Sequence, residues 1–299
     1  MTDQPLHVSV SKLGPATRKR FEDVIRGAVP SVAPALGLSV WQSGAPWFEA
    51  YAGWLDPGSE ATAAASVTRF DLASLSKLFT ATAFLRLASD FKVAIDDPVV
   101  SLLPEFGRSG PRAVDGGQEP LSRRLLPTPE ERRRWSIDPA SVTFKQLLTH
   151  TSGLAPWRSV FRETGPVPPP PDEPDPVSPA ERRAGGIAAI CEYAFVSRPG
   201  EEFHYSDLGY ILLGEAVSRI GNAPLDVALQ TLIRDRLAID TLTYAPLRAG
   251  QHRDRIAPTS FDDDWRLVDC CREALRKPPW LRHTTCRPEE REEVWQGLP

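Results

Sequence analysis

The chain has 299 residues, 41% of them hydrophobic, with 35 basic side chains against 39 acidic. That length buries a substantial core, in one large domain or two closely packed ones, and the near-even charge excludes a nucleic acid or other polyanion as the expected partner. Four cysteines are too few for a disulfide scaffold at this size and suit a reducing compartment.

The N-terminus, MTDQPLHVSVSKLG, lacks the apolar run of a signal peptide, and no later stretch approaches membrane-spanning length. A soluble cytoplasmic protein without a membrane partner is therefore expected. Residues 15–29 carry Phe21, Val24, Ile25 and Ala28 at helical spacing, ended by Pro30. Two apolar runs, Ala35 to Gln42 and Pro46 to Trp54, joined by Ser43-Gly44-Ala45, predict a β-hairpin. Phe70 to Ala73 leads into an apolar helix running to about Ser89, and KVAIDDPVVSLLPEF after it is irregular.

From Gly107 to Pro139 the chain is polar, and Glu130-Glu131-Arg132-Arg133-Arg134 reads as a solvated face. Thr143 to His150 predicts a short helix with Gly153 as its stop. Residues 165–179, GPVPPPPDEPDPVSP, form neither helix nor sheet interior and are expected as an extended surface spacer rather than a docking ligand. Helices follow over Glu181–Phe195, Leu208–Ile220 and about Pro224–Leu237, the first two flanking the turn Arg198-Pro199-Gly200. Beyond Gly250 the pattern weakens.

The chemistry concentrates at Ser74-Leu75-Ser76-Lys77, where the turn gives way to the apolar helix. Serine and lysine three apart share a helical face, so a hydroxyl lies beside an amine able to take its proton. A capping serine with a solvated lysine is the plainer alternative. Against it, Leu78, Phe79, Ala81, Ala83, Phe84 and Leu85 make the helix apolar on nearly every side, which belongs in a core. Free N–H groups at the helix start stabilise negative charge developing on Ser74. Lys77 serves as base only when neutral, and bringing an amine from about 10.4 to near 7 takes roughly 4 kcal/mol of burial and neighbouring positive field. Tyr205, in Tyr205-Ser206-Asp207, is a candidate second acid/base.

FDLASLSKLFTATAFLRL, LLTHTSGL, RPGEEFHYSDLGYILLGEAV and RIAPT, in this order, resemble the serine β-lactamase and penicillin-binding-protein superfamily, and within it the class C β-lactamase and esterase-like branch, over about residues 30–260. The resemblance implies an α+β fold, an antiparallel sheet flanked by helices with a mostly helical region inserted and the site between them. It also implies an acyl-enzyme hydrolase without a cofactor or metal, acting on a small ester or amide with Ser74 as nucleophile, Lys77 as its activating partner and Tyr205 assisting proton transfer. Asp207 stands where that branch often has Asn; an ionised carboxylate there raises the lysine pKa and weakens it as a base. Asp207 and Trp157 are expected on the substrate side, with Trp41 a second candidate for the acyl pocket.

The family's third element, Lys or His, a small residue, then Gly, has no match after Tyr205; His283-Thr284-Thr285 comes nearest. The strand carrying it also supplies an oxyanion donor whose loss costs about 3–4 kcal/mol of barrier. The expectation is a single domain over 1–299, shortened at its C-terminus: helix and hairpin at 15–75, a mostly helical region at 76–245 and an irregular tail at 246–299. The hairpin would then lack sheet partners and leave its apolar face open, favouring poor stability or self-association. Cys270, Cys271, His283 and Cys286 could be grouped as zinc ligands, but adjacent cysteines rarely both ligate one ion and no C-x-x-C is present. His150 and His204 read as structural. Esterase chemistry is favoured, with a D-amino-acid peptidase second and a catalytically silent binding module as the alternative of another class.

Overall fold

The computed structural model describes residues 4–56, 60–119, 124–160, 163–166, 174–244 and 252–258. They fall into two compact units, one holding the residues up to Ala73 together with 252–258, the other Ser74–Tyr244.

In the first unit, strands β1 (Leu6–Ser11), β2 (Ala35–Gln42) and β3 (Ala45–Gly53) form an antiparallel sheet in the order β1-β3-β2. Ser43 and Gly44, both at positive φ, make the tight β2–β3 turn whose twist suits a hairpin. Helix α1 (Pro15–Ala28) lays Phe21 and Ile25, with Val29 beyond its end, on the face formed by Phe48, Ala50 and Ala52. Val24, on the same predicted stripe, is exposed, because a helix on a single sheet buries only one narrow face. The hairpin therefore does not stand alone. His7, Ser9 and Ser11 alternate with Leu6, Val8 and Val10, a period-two strand signal, and β1 pairs along β3 while α1 covers the apolar face.

The second unit is built from α2 (Ser76–Ser89), α3 (Phe144–Leu148), α4 (Pro179–Glu192), α5 (Asp207–Gly221), α6 (Leu225–Leu229) and α7 (Asp235–Leu237), with a π-helical turn at Gln230–Arg234 joining the last two. Phe84 and Leu87 of α2, Phe144 and Leu147 of α3, Ile187 and Ile190 of α4 and Leu208, Leu212 and Leu213 of α5 share one core. The irregular stretch after α2 fills it too, through Val99, Leu103 and Phe106. Capping boxes start α3 (Thr143 with Gln146) and α4 (Ser178 with Glu181), each satisfying two backbone groups that a helix end leaves free. The left-handed residue that closes α3 is His150 (φ +58°) rather than Gly153. Gly153 is also left-handed, and a Cβ there would lie 2.3 Å from the Ser197 carbonyl.

The polar segment Gly107–Pro139, within which Glu130–Arg134 was expected as a solvated face, is partly interior. β4 (Arg112–Ala113) pairs with β5 (Ser136–Ile137), and Arg112 is buried with its guanidinium 4.5 Å from the ring centres of both Phe106 and Phe195. Arg132 likewise leaves the solvated face, pairing with Glu202 at 2.7 Å and donating to the Val196 carbonyl. The fold class is thus α+β, antiparallel sheets with helices, as the resemblance implied. No helix among the described residues is long and apolar enough to cross a membrane.

Candidate active site

Ser74 sits in the tight turn Ala73–Leu75 that opens directly into α2, and it is exposed. Ala73 before it has φ +43°, with its N–H donated to Asp71 Oδ1 at 2.7 Å. Holding a non-glycine residue in this region costs about 1 kcal/mol or more, and the hydrogen bond fixes the corner on which the serine is carried. One turn on, the Lys77 ammonium donates to Ser74 Oγ at 3.3 Å and pairs with Asp207 Oδ1 at 2.6 Å. The Tyr205 ring lies 4.9 Å from the same nitrogen and the Tyr210 ring 5.9 Å.

Leu78 and Leu85 are exposed, so α2 is not the helix buried on all sides that its composition predicts; its buried stripe is Thr80, Ala83, Phe84 and Leu87. Lys77 nevertheless has a polar partner. Burial is the largest single influence on its amine and pulls the pKa down, but the hydrogen bond and charge of Asp207, joined by Tyr205, outweigh it and hold the pKa above the ordinary lysine value. The amine in this state is a donor to Ser74, not an acceptor.

Asp207 is held by the start of α5. Ser206 caps that helix, its Oγ accepting the Gly209 N–H at 3.2 Å and donating to the Ala155 carbonyl at 2.7 Å. The Asp207 N–H donates to Pro156 O at 2.9 Å, and its carboxylate in the first turn faces the positive end of the helix dipole. Tyr205, just outside the helix, is 45% exposed.

His150 occupies the other side of the cluster. Its ring lies 4.4 Å from Tyr205 and 4.9 Å from Tyr210, centre to centre. Burial, then the Lys77 charge, lowers its pKa below the usual histidine value, against the opposing pull of Asp207. Tyr210 donates to Leu148 O at 3.2 Å, and burial pushes its phenol up.

Four of the five residues singled out from the sequence, Ser74, Lys77, Tyr205 and Asp207, thus form one cluster. Trp157 is half-buried one residue beyond Pro156, and the cluster's ring contacts run through His150, Tyr205 and Tyr210 instead. His150 and Tyr210 were missed as members. Tyr210 was legible in principle, three residues after Asp207 and hence on its face of α5. His150 is brought in by a backbone bend after α3 that spacing alone does not reveal. His204 faces away to Glu202, 3.1 Å from its Nε2. Cys270, Cys271, His283-Thr284-Thr285 and Cys286 lie outside the described residues.

A family model described as Beta-lactamase matches residues 21–270. Protein Rv1367c of Mycobacterium tuberculosis is 32% identical over 165 residues, 53% of this chain and 34% of that protein. Esterase EstB of Burkholderia gladioli is 41% identical over 90 residues, covering 30% of this chain and 17% of the esterase. Among solved structures, the octameric penicillin-binding protein homologue from Pyrococcus abyssi is 20% identical with a TM-score of 0.56, over 82% of this chain and 50% of that one. The chain spans about a third or less of the curated relatives it matches.

Proposed function

The chain belongs to the β-lactamase family, and we propose that it is a serine hydrolase cleaving a small ester or amide through an acyl-Ser74 intermediate. The observation that carries this reading is the exposed Ser74 Oγ 3.3 Å from the Lys77 amine. Ser74 attacks the carbonyl carbon and its proton passes to a neutral Lys77; Tyr205, beside the amine, returns a proton to the leaving oxygen or nitrogen. Water then hydrolyses the acyl-serine. The first N–H groups of α2 face the charge that develops there.

Esterase chemistry is the favoured form, supported by the matching stretch of the esterase relative and by the Asp207 carboxylate in place of an amide. Asp207 sets the resting charge of Lys77, and Trp157 is kept as a wall of the acyl pocket. Because the Lys77–Asp207 pair keeps the amine protonated, turnover requires the pair to give up its proton, and activity rises with pH. The same pair supports the second reading, a silent homologue that binds without reacting. Self-association through the sheet belongs to this proposal as well, since β1 and β2 each have one strand partner among the described residues; light scattering on a sizing column tests it, and a monodisperse monomer removes it.

A fluorophosphonate or fluorescent penicillin followed by intact mass tests the nucleophile. Labelling of the wild type and of Ser76→Ala, lost in Ser74→Ala, is the expected result. A folded wild type that neither probe labels decides for the silent homologue.

A further inference from the structure

Residues 204–206 carry the candidate proton-transfer tyrosine, and His150 grips all three. Its carbonyl accepts the His204 N–H at 2.8 Å, its ring lies against Tyr205 at 4.4 Å, and its Nδ1 accepts the Ser206 N–H at 2.9 Å. The left-handed backbone of His150 turns carbonyl and side chain toward the same strip of chain. Resting on the reading of Ser74 as nucleophile, we propose that His150 is a positioning residue that holds Tyr205 against Lys77 only while its imidazole is neutral, so that acid releases the tyrosine and shuts the site.

The chemistry follows from the donor. A backbone N–H can only donate, so Nδ1 must carry a lone pair and the neutral ring bears its proton on Nε2. Protonation puts a second N–H in front of the Ser206 N–H, and the bond is replaced by a clash of two donors. It also sets a cation beside the Lys77 ammonium, against the rings of Tyr205 and Tyr210. The charged and titratable groups around the ring are Lys77 of α2, Asp207 and Tyr210 of α5, and Tyr205 and the Glu202–His204 pair of the loop. Only Asp207 favours the imidazolium; burial and Lys77 oppose it and keep the clamp closed down to a pH below the usual histidine range. Lys77 titrates on the alkaline side, so the two ionisations separate.

Three variants and two readouts test this. His150→Asn keeps an acceptor where Nδ1 stood, tolerates the left-handed backbone and does not titrate. His150→Phe keeps the ring stack without the acceptor, and His204→Gln removes the other nearby imidazole. Amide hydrogen exchange at Ser206, corrected for intrinsic rate, reads the clamp without substrate. Wild type and His204→Gln should lose at least tenfold of that protection between pH 7 and pH 5, His150→Asn should stay protected throughout, and His150→Phe should be unprotected at both. Turnover of a chromogenic ester should fall at least tenfold in kcat with little change in KM for His150→Phe. The extra acid-side loss of the wild type should be absent in His150→Asn. Protection at Ser206 that ignores both pH and His150→Phe overturns the clamp. A wild type whose Ser206 protection switches as stated but whose Ser74 takes no acyl label keeps the clamp and overturns the hydrolase.

Discussion

Helix α5 carries two carboxylates in opposite circumstances. Asp207, in its first turn, is 44% exposed and meets one cation, Lys77, which also donates to an exposed hydroxyl. Glu215, two turns later, is 8% exposed and takes Arg183 on one oxygen at 2.6 Å and Arg219 on the other at 2.7 Å. Arg219 goes on to Glu105 and to the Leu102 carbonyl. For Glu105, burial is the largest influence and raises its pKa, yet the Arg219 bonds outweigh it and bring the carboxyl below its usual range; the Glu105 bond in turn leads in holding the Arg219 guanidinium up. The second cluster closes on itself and ties α4, α5 and the Pro104–Gly107 turn. The first is left open on the serine side. One helix thus carries a buried carboxylate braced by two arginines and a half-exposed one whose lysine partner also reaches an exposed hydroxyl.

The sharpest way to break that contrast is Ser74→Ala, expected to lower turnover by about 10⁴-fold or more while the melting temperature stays within a degree or two, because the side chain is exposed; the steady-state rate and a thermal melt check both. Glu215→Ala is the converse. Removing one member of a buried ion cluster leaves Arg183 without its carboxylate and Arg219 with Glu105 alone, and should cost about 3–5 kcal/mol, read as a large fall in the denaturation midpoint, with Ser74 labelling retained in the fraction still folded.

Asp207→Asn sharpens the contrast from the reactive side. Losing the carboxylate leaves burial to pull the Lys77 amine down, so the ascending limb of kcat/KM should move to lower pH, with about a tenfold gain at neutral pH for each unit moved. An unmoved limb would mean that another group titrates. The smallest effect is the stability of the same variant. A half-exposed pair contributes at most about 1 kcal/mol. Since the folded-state pKa of Lys77 is raised, this contribution is complete below the ordinary lysine value of about 10.5 and disappears as pH rises through the higher folded value. Wild type and Asp207→Asn should therefore differ by a constant small amount between pH 6 and 9 and converge in strong alkali, which urea unfolding at several pH values measures.

The sequence was most legible where structure is local. The Ser74–Lys77 pair, the start of α5 and the β2–β3 hairpin follow from spacings of two to four residues and appear where expected. Two things resisted. A strand such as β1 shows its role only through its pairing with β3, some forty residues away. The His150 grip depends on a left-handed residue, and the sequence offered glycine, three positions on, as the more natural place for one. Likewise the apolar composition of α2 overstated its burial, since its neighbours cover one stripe and leave Leu78 outside.

Arg112 offers a handle on a different property. A digestive protease that cuts after arginine must draw that side chain into its own specificity pocket, and here the side chain is wedged between two phenylalanine rings and bonded to the carbonyls of Ile190 and Tyr193. Arg133, whose side chain is 59% exposed, offers the same bond chemistry with nothing to dislodge. Brief trypsin treatment of the native protein should cleave after Arg133 long before Arg112, making this one peptide bond a clock for the opening of the helical unit's interior.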